Sequence, residues 1–136
     1  VILIDCQPSL GLLTVNALTA AHGVLIPLAC EYFALRGVAL LLDIIERVRE
    51  SSNPAINIDG VLATMYDART LHSKEVLEVL EKQFAGQLFA TKISRTVKFP
   101  DASVAAAPLT NFAPESQAAE SYRAVAREMV SRGHTP

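Results

Sequence analysis

The chain lacks any long hydrophobic run, carries few cysteines and histidines, and has no large excess of charge of either sign. Its apolar runs fall far short of the roughly 20 residues that a membrane-spanning helix requires. Only two cysteines, Cys6 and Cys30, occur, and neither has a second Cys or His at metal-ligand spacing. This spacing suggests no zinc set, and buried free thiols in a cytosolic protein are expected. His22, His72 and His134 stand apart in sequence and suggest neither a zinc set nor a Ser/His/Asp arrangement. A net charge of −2 excludes a protein that holds nucleic acid by bulk charge, so any DNA contact must come from a few placed residues.

What is present suits one globular domain. At 136 residues, with 51% hydrophobic and 19% charged residues and no low-complexity tract, the chain can bury a core. It opens on an apolar strand pattern without Met and without a basic leader, which reads as a fragment of something longer and not as a secretory signal.

Val1 to Ile4 are short and β-branched, and they run into Asp5 with Pro8, Ser9 and Gly11 behind it. The pattern predicts a buried strand with a carboxylate at its end. Leu12 to Ala21 reads as a helix, Val24 to Pro27 as a second strand, and about Ala34 to Glu50 as a long helix with Leu35, Val38, Leu41, Leu42, Ile45 and Val48 in one stripe. Ile58 to Met65 reads as a third strand, followed by a helix capped by Thr70 or Ser73. Leu88 to Ile93 gives a fourth strand, Ser94 to Pro100 a loop, 101–116 an irregular stretch, and Gln117 to Arg132 a last helix.

Strands alternating with helices in this order predict the α/β class, with a doubly wound, mostly parallel sheet flanked by helices. Ligands bind such sheets beyond the carboxyl ends of the strands. That edge collects 5–11, 28–32, 66–70 and 94–98. Asp5 stands where nucleotide hydrolases hold Mg²⁺ through water, although an Asp after a strand also serves as a turn or cap residue. Arg69, Arg95 and Lys98 sit on neighbouring loops, either as phosphate contacts or as solvated charge.

A more specific signal lies in the wording of four separated blocks. Ile4 to Leu18 resembles the Walker B and switch segment of the ParA/Soj chromosome-partitioning ATPases, which are deviant Walker P-loop proteins. Ile26-Pro27 with Cys30 to Gly37, Gly60 to Thr70, and Arg95 to Ala102 follow in the family's order. The resemblance covers nearly the whole chain and is nearest the actinobacterial members. It implies that 1–136 is the C-terminal part of a single ParA-like ATPase domain, P-loop NTPase-like and truncated at its N-terminus.

For the full-length parent, the resemblance implies an ATPase acting in chromosome or plasmid partitioning, with ATP and Mg²⁺ as cofactors. It implies ATP-dependent homodimerisation, non-specific DNA binding, a ParB-type partner, and a cytoplasmic, nucleoid-associated location without stable membrane association. Carried over residue by residue, Asp5 is the Walker B carboxylate that holds Mg²⁺ through water, and Pro8 lies in the switch. Met65 belongs to the adenine-side segment. Arg69 and Lys98 match DNA-contacting positions, with Arg95 beside them.

The chain departs from the family in having Gln7 where many members have proline, and Ala106 where glycine is frequent. It also contains no glycine-rich, lysine-bearing phosphate loop, so no catalytic residue is expected within it and the fragment alone should not hydrolyse ATP. Rival readings are a MinD-like positioning ATPase, a non-hydrolysing regulatory or adaptor protein on the same fold, and a flavodoxin-type binding module.

Overall fold

A computed structural model describes residues 1–7, 9 and 11–133. Its elements run α1 (Leu12–Ala20), β1 (Gly23–Ala29), α2 (Tyr32–Ser51), β2 (Asn57–Thr64), α3 (Leu71–Gln83), α4 (Lys98–Val104), α5 (Leu109–Phe112) and α6 (Gln117–Ser131). β1 and β2 pair in parallel from Gly23↔Asn57 to Ala29↔Thr64, with an irregularity between Val24 and Leu25. A third extended segment, residues 87–95, lies parallel beside β2 through bridges at Val61↔Leu88 and Tyr66↔Ser94.

Alternation along the strands sends side chains to two cores. Ile26, Val61 and Ala63 pack with Leu18 of α1, Val38, Ile45 and Val48 of α2, and Val76, Leu77 and Leu80 of α3. From the other face Leu62 packs with Phe89, Ile93 and Val125 of α6, joined by Leu25, Phe99 and Met129. The sheet is thus covered on both sides, as its apolar strands require.

Several expectations are corrected. The strand expected at Val1 to Ile4 is absent: these residues are exposed and without regular structure, Ile2 to 90%. A strand needs a neighbour for its N–H and C=O groups, and none of the described residues supplies one. Cys6, expected to be buried, is exposed on the same segment, whereas Cys30 is buried. In α1, where the apolar positions Leu13, Ala17, Leu18 and Ala21 were expected to mark the helix, the buried residues are Thr14 and Leu18, while Leu13 faces outward. The fourth strand is reduced to bridges, because the Thr91 N–H leaves the ladder for the Glu128 carboxylate and the Ile93 N–H meets Ala63 O in its stead, at 2.9 Å. The loop expected at 94–100 instead starts α4 at Lys98, with Pro100 in the first turn, where its missing N–H costs no helical bond.

The C-terminus of α4 explains the departure at Ala106. Ala106 N–H donates to Ser103 O at 3.1 Å and Ala107 N–H to Ala102 O at 3.1 Å, the paired bonds of a Schellman motif. Ala106 occupies the left-handed position with φ of +49°. Ala106→Gly should therefore raise stability by about 0.5–1 kcal/mol, as relief of the Cβ strain outweighs the entropy that glycine adds to the unfolded chain. Chemical denaturation checks this, and a lower midpoint would contradict it.

Candidate functional site

Three segments that follow strands enclose a cavity of about 250 Å³ at the carboxyl edge of the sheet, lined by Cys30, Glu31, Met65, Asp67, Thr70, His72, Ser73 and Arg95. Cys30 and Glu31 follow β1, Met65 follows β2, and Arg95 follows the third segment. Backbone bonds hold these exits together: Cys30 N–H donates to Thr64 O at 2.9 Å and Arg95 N–H to Tyr66 O at 3.1 Å. Met65 turns the chain out of β2 with φ of +52°, a conformation that costs a non-glycine residue about 1–2 kcal/mol and is a mark of functional loops. Burial pushes the Cys30 thiol pKa up, partly opposed by the charge of Lys92, so the cavity wall there is a neutral thiol.

Charge around the cavity is paired. Arg95 Nη2 meets Glu31 Oε1 at 2.9 Å. Arg69 forks onto Asp67, Nε to Oδ1 at 2.9 Å and Nη2 to Oδ2 at 2.8 Å. That side-chain hydrogen bond, helped by the Arg69 backbone N–H, lowers the Asp67 pKa to about 2. Thr70 caps α3 by accepting from Ser73 N–H at 3.3 Å, so of the two capping candidates it is Thr70 that acts. On the rim, the Tyr32 and His72 rings lie 4.7 Å apart and the Tyr32 hydroxyl reaches Glu75 at 3.4 Å.

The expected site residues are thus only partly gathered. Met65 and Arg95 line the cavity, together with Asp67, to which Arg69 is bound. Asp5 is exposed on the irregular N-terminal segment and Lys98 is exposed at the start of α4; neither forms part of the wall. Pro8 lies outside the described residues. Glu31, Asp67, Thr70 and His72 were not singled out in the sequence as site residues; Glu31 and Asp67 could have been, because each sits in the segment after a strand. Among the described residues no group of three or more His, Cys, Asp or Glu side chains could hold a metal ion, and no helix is long and apolar enough to cross a membrane.

A parallel sheet with helices on both faces and a polar cavity at its carboxyl edge is the architecture of the P-loop ATPase-like α/β proteins. Comparison bears this out: the fold matches a cobyrinic acid a,c-diamide synthase from Mycobacterium smegmatis, solved with ADP and magnesium, at TM-score 0.75 and 37% identity over 96% of this chain and 46% of that one. Residues 1–58 match the family model described as an AAA domain.

Among curated relatives, the chromosome-partitioning ATPase Soj of Treponema pallidum is 46% identical over 96% of this chain and 52% of its own length. An uncharacterized protein of Mycobacterium tuberculosis is 53% identical over 96% of this chain and 41% of its own length. Over nearly its whole length the chain is thus similar to the ParA/Soj partitioning ATPases. It spans about half the length of the curated relatives it matches.

Proposed function

We propose that the chain is the C-terminal part of a ParA-like ATPase that acts in chromosome or plasmid partitioning. The observation that carries this reading is the cavity at the carboxyl edge of the sheet, walled by the segments that resemble the family's nucleotide-side motifs. At about 250 Å³ it lies below the roughly 300–1,000 Å³ of pockets that enclose a whole ligand, and it fits a base-sized group beside Met65. A lone carboxylate such as Asp5 fits a Mg²⁺ ion held through water, with phosphate oxygens and waters completing the shell. ATP and Mg²⁺ would supply the reacting phosphate and its charge neutralisation. This chain's residues would flank the base (Met65), orient the hydrated ion (Asp5) and form part of the switch (Pro8). The phosphate cradle would come from sequence outside these residues, and Val1 to Ile4 would pair as a strand with that part.

In this reading ATP binding makes a homodimer, which presents Arg69, Arg95 and Lys98 to non-specific DNA, and a ParB-type partner stimulates hydrolysis. The protein would act in the cytoplasm on the nucleoid. The three cations are not equivalent: Arg69 and Arg95 are each held by a carboxylate, whereas Lys98 has no ion-pair partner among the described residues. Lys98→Glu should therefore weaken DNA binding by the full-length protein without a compensating rearrangement. Arg69→Glu should do so as well and also break the Asp67 fork. Each should reduce the magnitude of the salt slope by about 1, and Lys98→Glu, which lies outside the cavity wall, should leave ATP affinity unchanged. Titration of duplex DNA at several salt concentrations checks this, and equal loss of ATP binding would sink the assignment.

The synthase name of the solved relative favours a second reading, an ATP-dependent amidation enzyme. Turnover that requires a carboxylate substrate and an amine donor, and ignores DNA and partner protein, would select it.

A further inference from the structure

The outer edge of the sheet is closed in an unusual way. Phe89 N–H donates to Val61 O at 2.9 Å, so Phe89 faces β2 and its neighbours Leu88 and Ala90 point their polar groups away from the sheet. Such outward groups form an open edge onto which another strand can add. Here they are engaged: Leu88 N–H donates to Phe84 O at 3.0 Å, Leu88 O accepts from Arg132 Nη2 at 2.8 Å, and Ala90 N–H donates to Glu128 Oε1 at 2.8 Å. Glu128 Oε2 takes the next N–H as well, from Thr91 at 3.0 Å.

Glu128 and Arg132 sit one turn apart at the end of α6 and its cap and bond each other at 2.7 Å, with side chains only 16% and 23% exposed. The Arg132 guanidinium also lies 4.3 Å from the centre of the Phe89 ring. The guanidinium donating to Leu88 O and the carboxylate accepting from Ala90 N–H stand in for the donor and acceptor of a missing strand, while the second carboxylate oxygen holds Thr91 N–H, which a regular ladder would aim at β2.

We infer that the Glu128–Arg132 pair is a side-chain lock on the sheet edge, which keeps residues 88–91 from pairing with the same edge of a second copy of this chain. A second copy is the fitting occupant because a two-fold axis sets the identical freed donors and acceptors against each other. The lock is independent of nucleotide or DNA.

The test uses Glu128→Ala, Glu128→Gln and the double variant Glu128→Ala/Ala90→Pro, with amide hydrogen exchange and light-scattering mass. In Glu128→Ala the Ala90 and Thr91 amides should exchange about tenfold faster or more, and the protein should self-associate with increasing concentration. Adding Ala90→Pro, which removes the edge donor, should return the mass to that of the wild type. Glu128→Gln keeps the side-chain shape with one acceptor oxygen and should release one of the two amides. Unchanged exchange in both single variants overturns the lock. So does association that persists in the double variant, which would place the contact on another surface, such as the exposed apolar residues at 1–4.

Discussion

Asp5→Ala in the full-length protein is expected to reduce Mg²⁺-dependent ATP turnover by about 10²-fold or more, a loss typical of removing one group that meets developing charge. Asp5 follows the apolar run Val1 to Ile4 and begins a segment of the wording shared with the family's nucleotide-side motif. Its proposed task is to orient the waters around Mg²⁺, whose charge offsets that of the transferred phosphate. Removing it should spare binding of the base and lower the rate, so kcat falls more than ATP affinity. Single-turnover kinetics with a binding titration separates the two. Unchanged turnover would remove Asp5 from the site and leave the cavity without its phosphate side.

The second large effect concerns the sheet itself. Gly60→Ala is expected to destabilise the chain by about 2–3 kcal/mol, the cost of forcing extra volume into a packed core, and to lower the melting temperature by roughly 10 °C. A Cβ at Gly60 would sit 2.3 Å from Phe89 Cε2 and 2.8 Å from Gln87 O. Phe89 is 1% exposed, and Gln87 O accepts from Val61 N–H at 3.0 Å. Relief therefore requires moving the whole third segment, not a flexible side-chain tip. Gly37 is the control: it lies exposed inside α2 with nothing within 4 Å of a Cβ. Gly37→Ala should stabilise by about 0.5–1 kcal/mol, because alanine loses less freedom in a helix. Opposite shifts in the two melting curves support the packing described. A neutral Gly60→Ala would contradict the close approach of the third segment to β2.

Periodicity exposed most of the helical frame. The stripe from Leu35 to Val48 gives α2, and its buried members Val38, Ile45 and Val48 face the sheet as their spacing demands. Thr70 and Gln117 mark helix starts because capping residues and turn breakers stand beside them. The strands were legible as apolar runs, but a run does not name its partner. Val1 to Ile4 has the same character as β1 yet finds no ladder, and 87–95 yields part of its ladder to Glu128, a residue 37 positions beyond Thr91. The loss of regular pairing at Thr91 is thus a tertiary event that no local pattern carries.

At the site, Asp5 of the expected segment 5–11 does not line the cavity, but the meeting of 28–32, 66–70 and 94–98 followed from strand order, because loops after parallel strands share an edge. The pairings did not. Arg95 with Glu31 joins residues 64 apart, and nothing in either local sequence selects that partner. The Asp67–Arg69 fork is closer in sequence, but a two-residue spacing is also compatible with side chains turned apart. Ala106 was the reverse case. Its place where the family favours glycine marked a special backbone position, and the left-handed turn after α4 accounts for it.

If the carboxyl edge of this sheet is the nucleotide side of a partitioning-type ATPase, amide hydrogen exchange on the full-length protein with and without ATP and Mg²⁺ should show protection concentrated in 5–11, 30–32, 65–73 and 94–98, with α5 unaffected. ATP binding that leaves those segments unprotected, or protects only segments remote from the cavity, would contradict it.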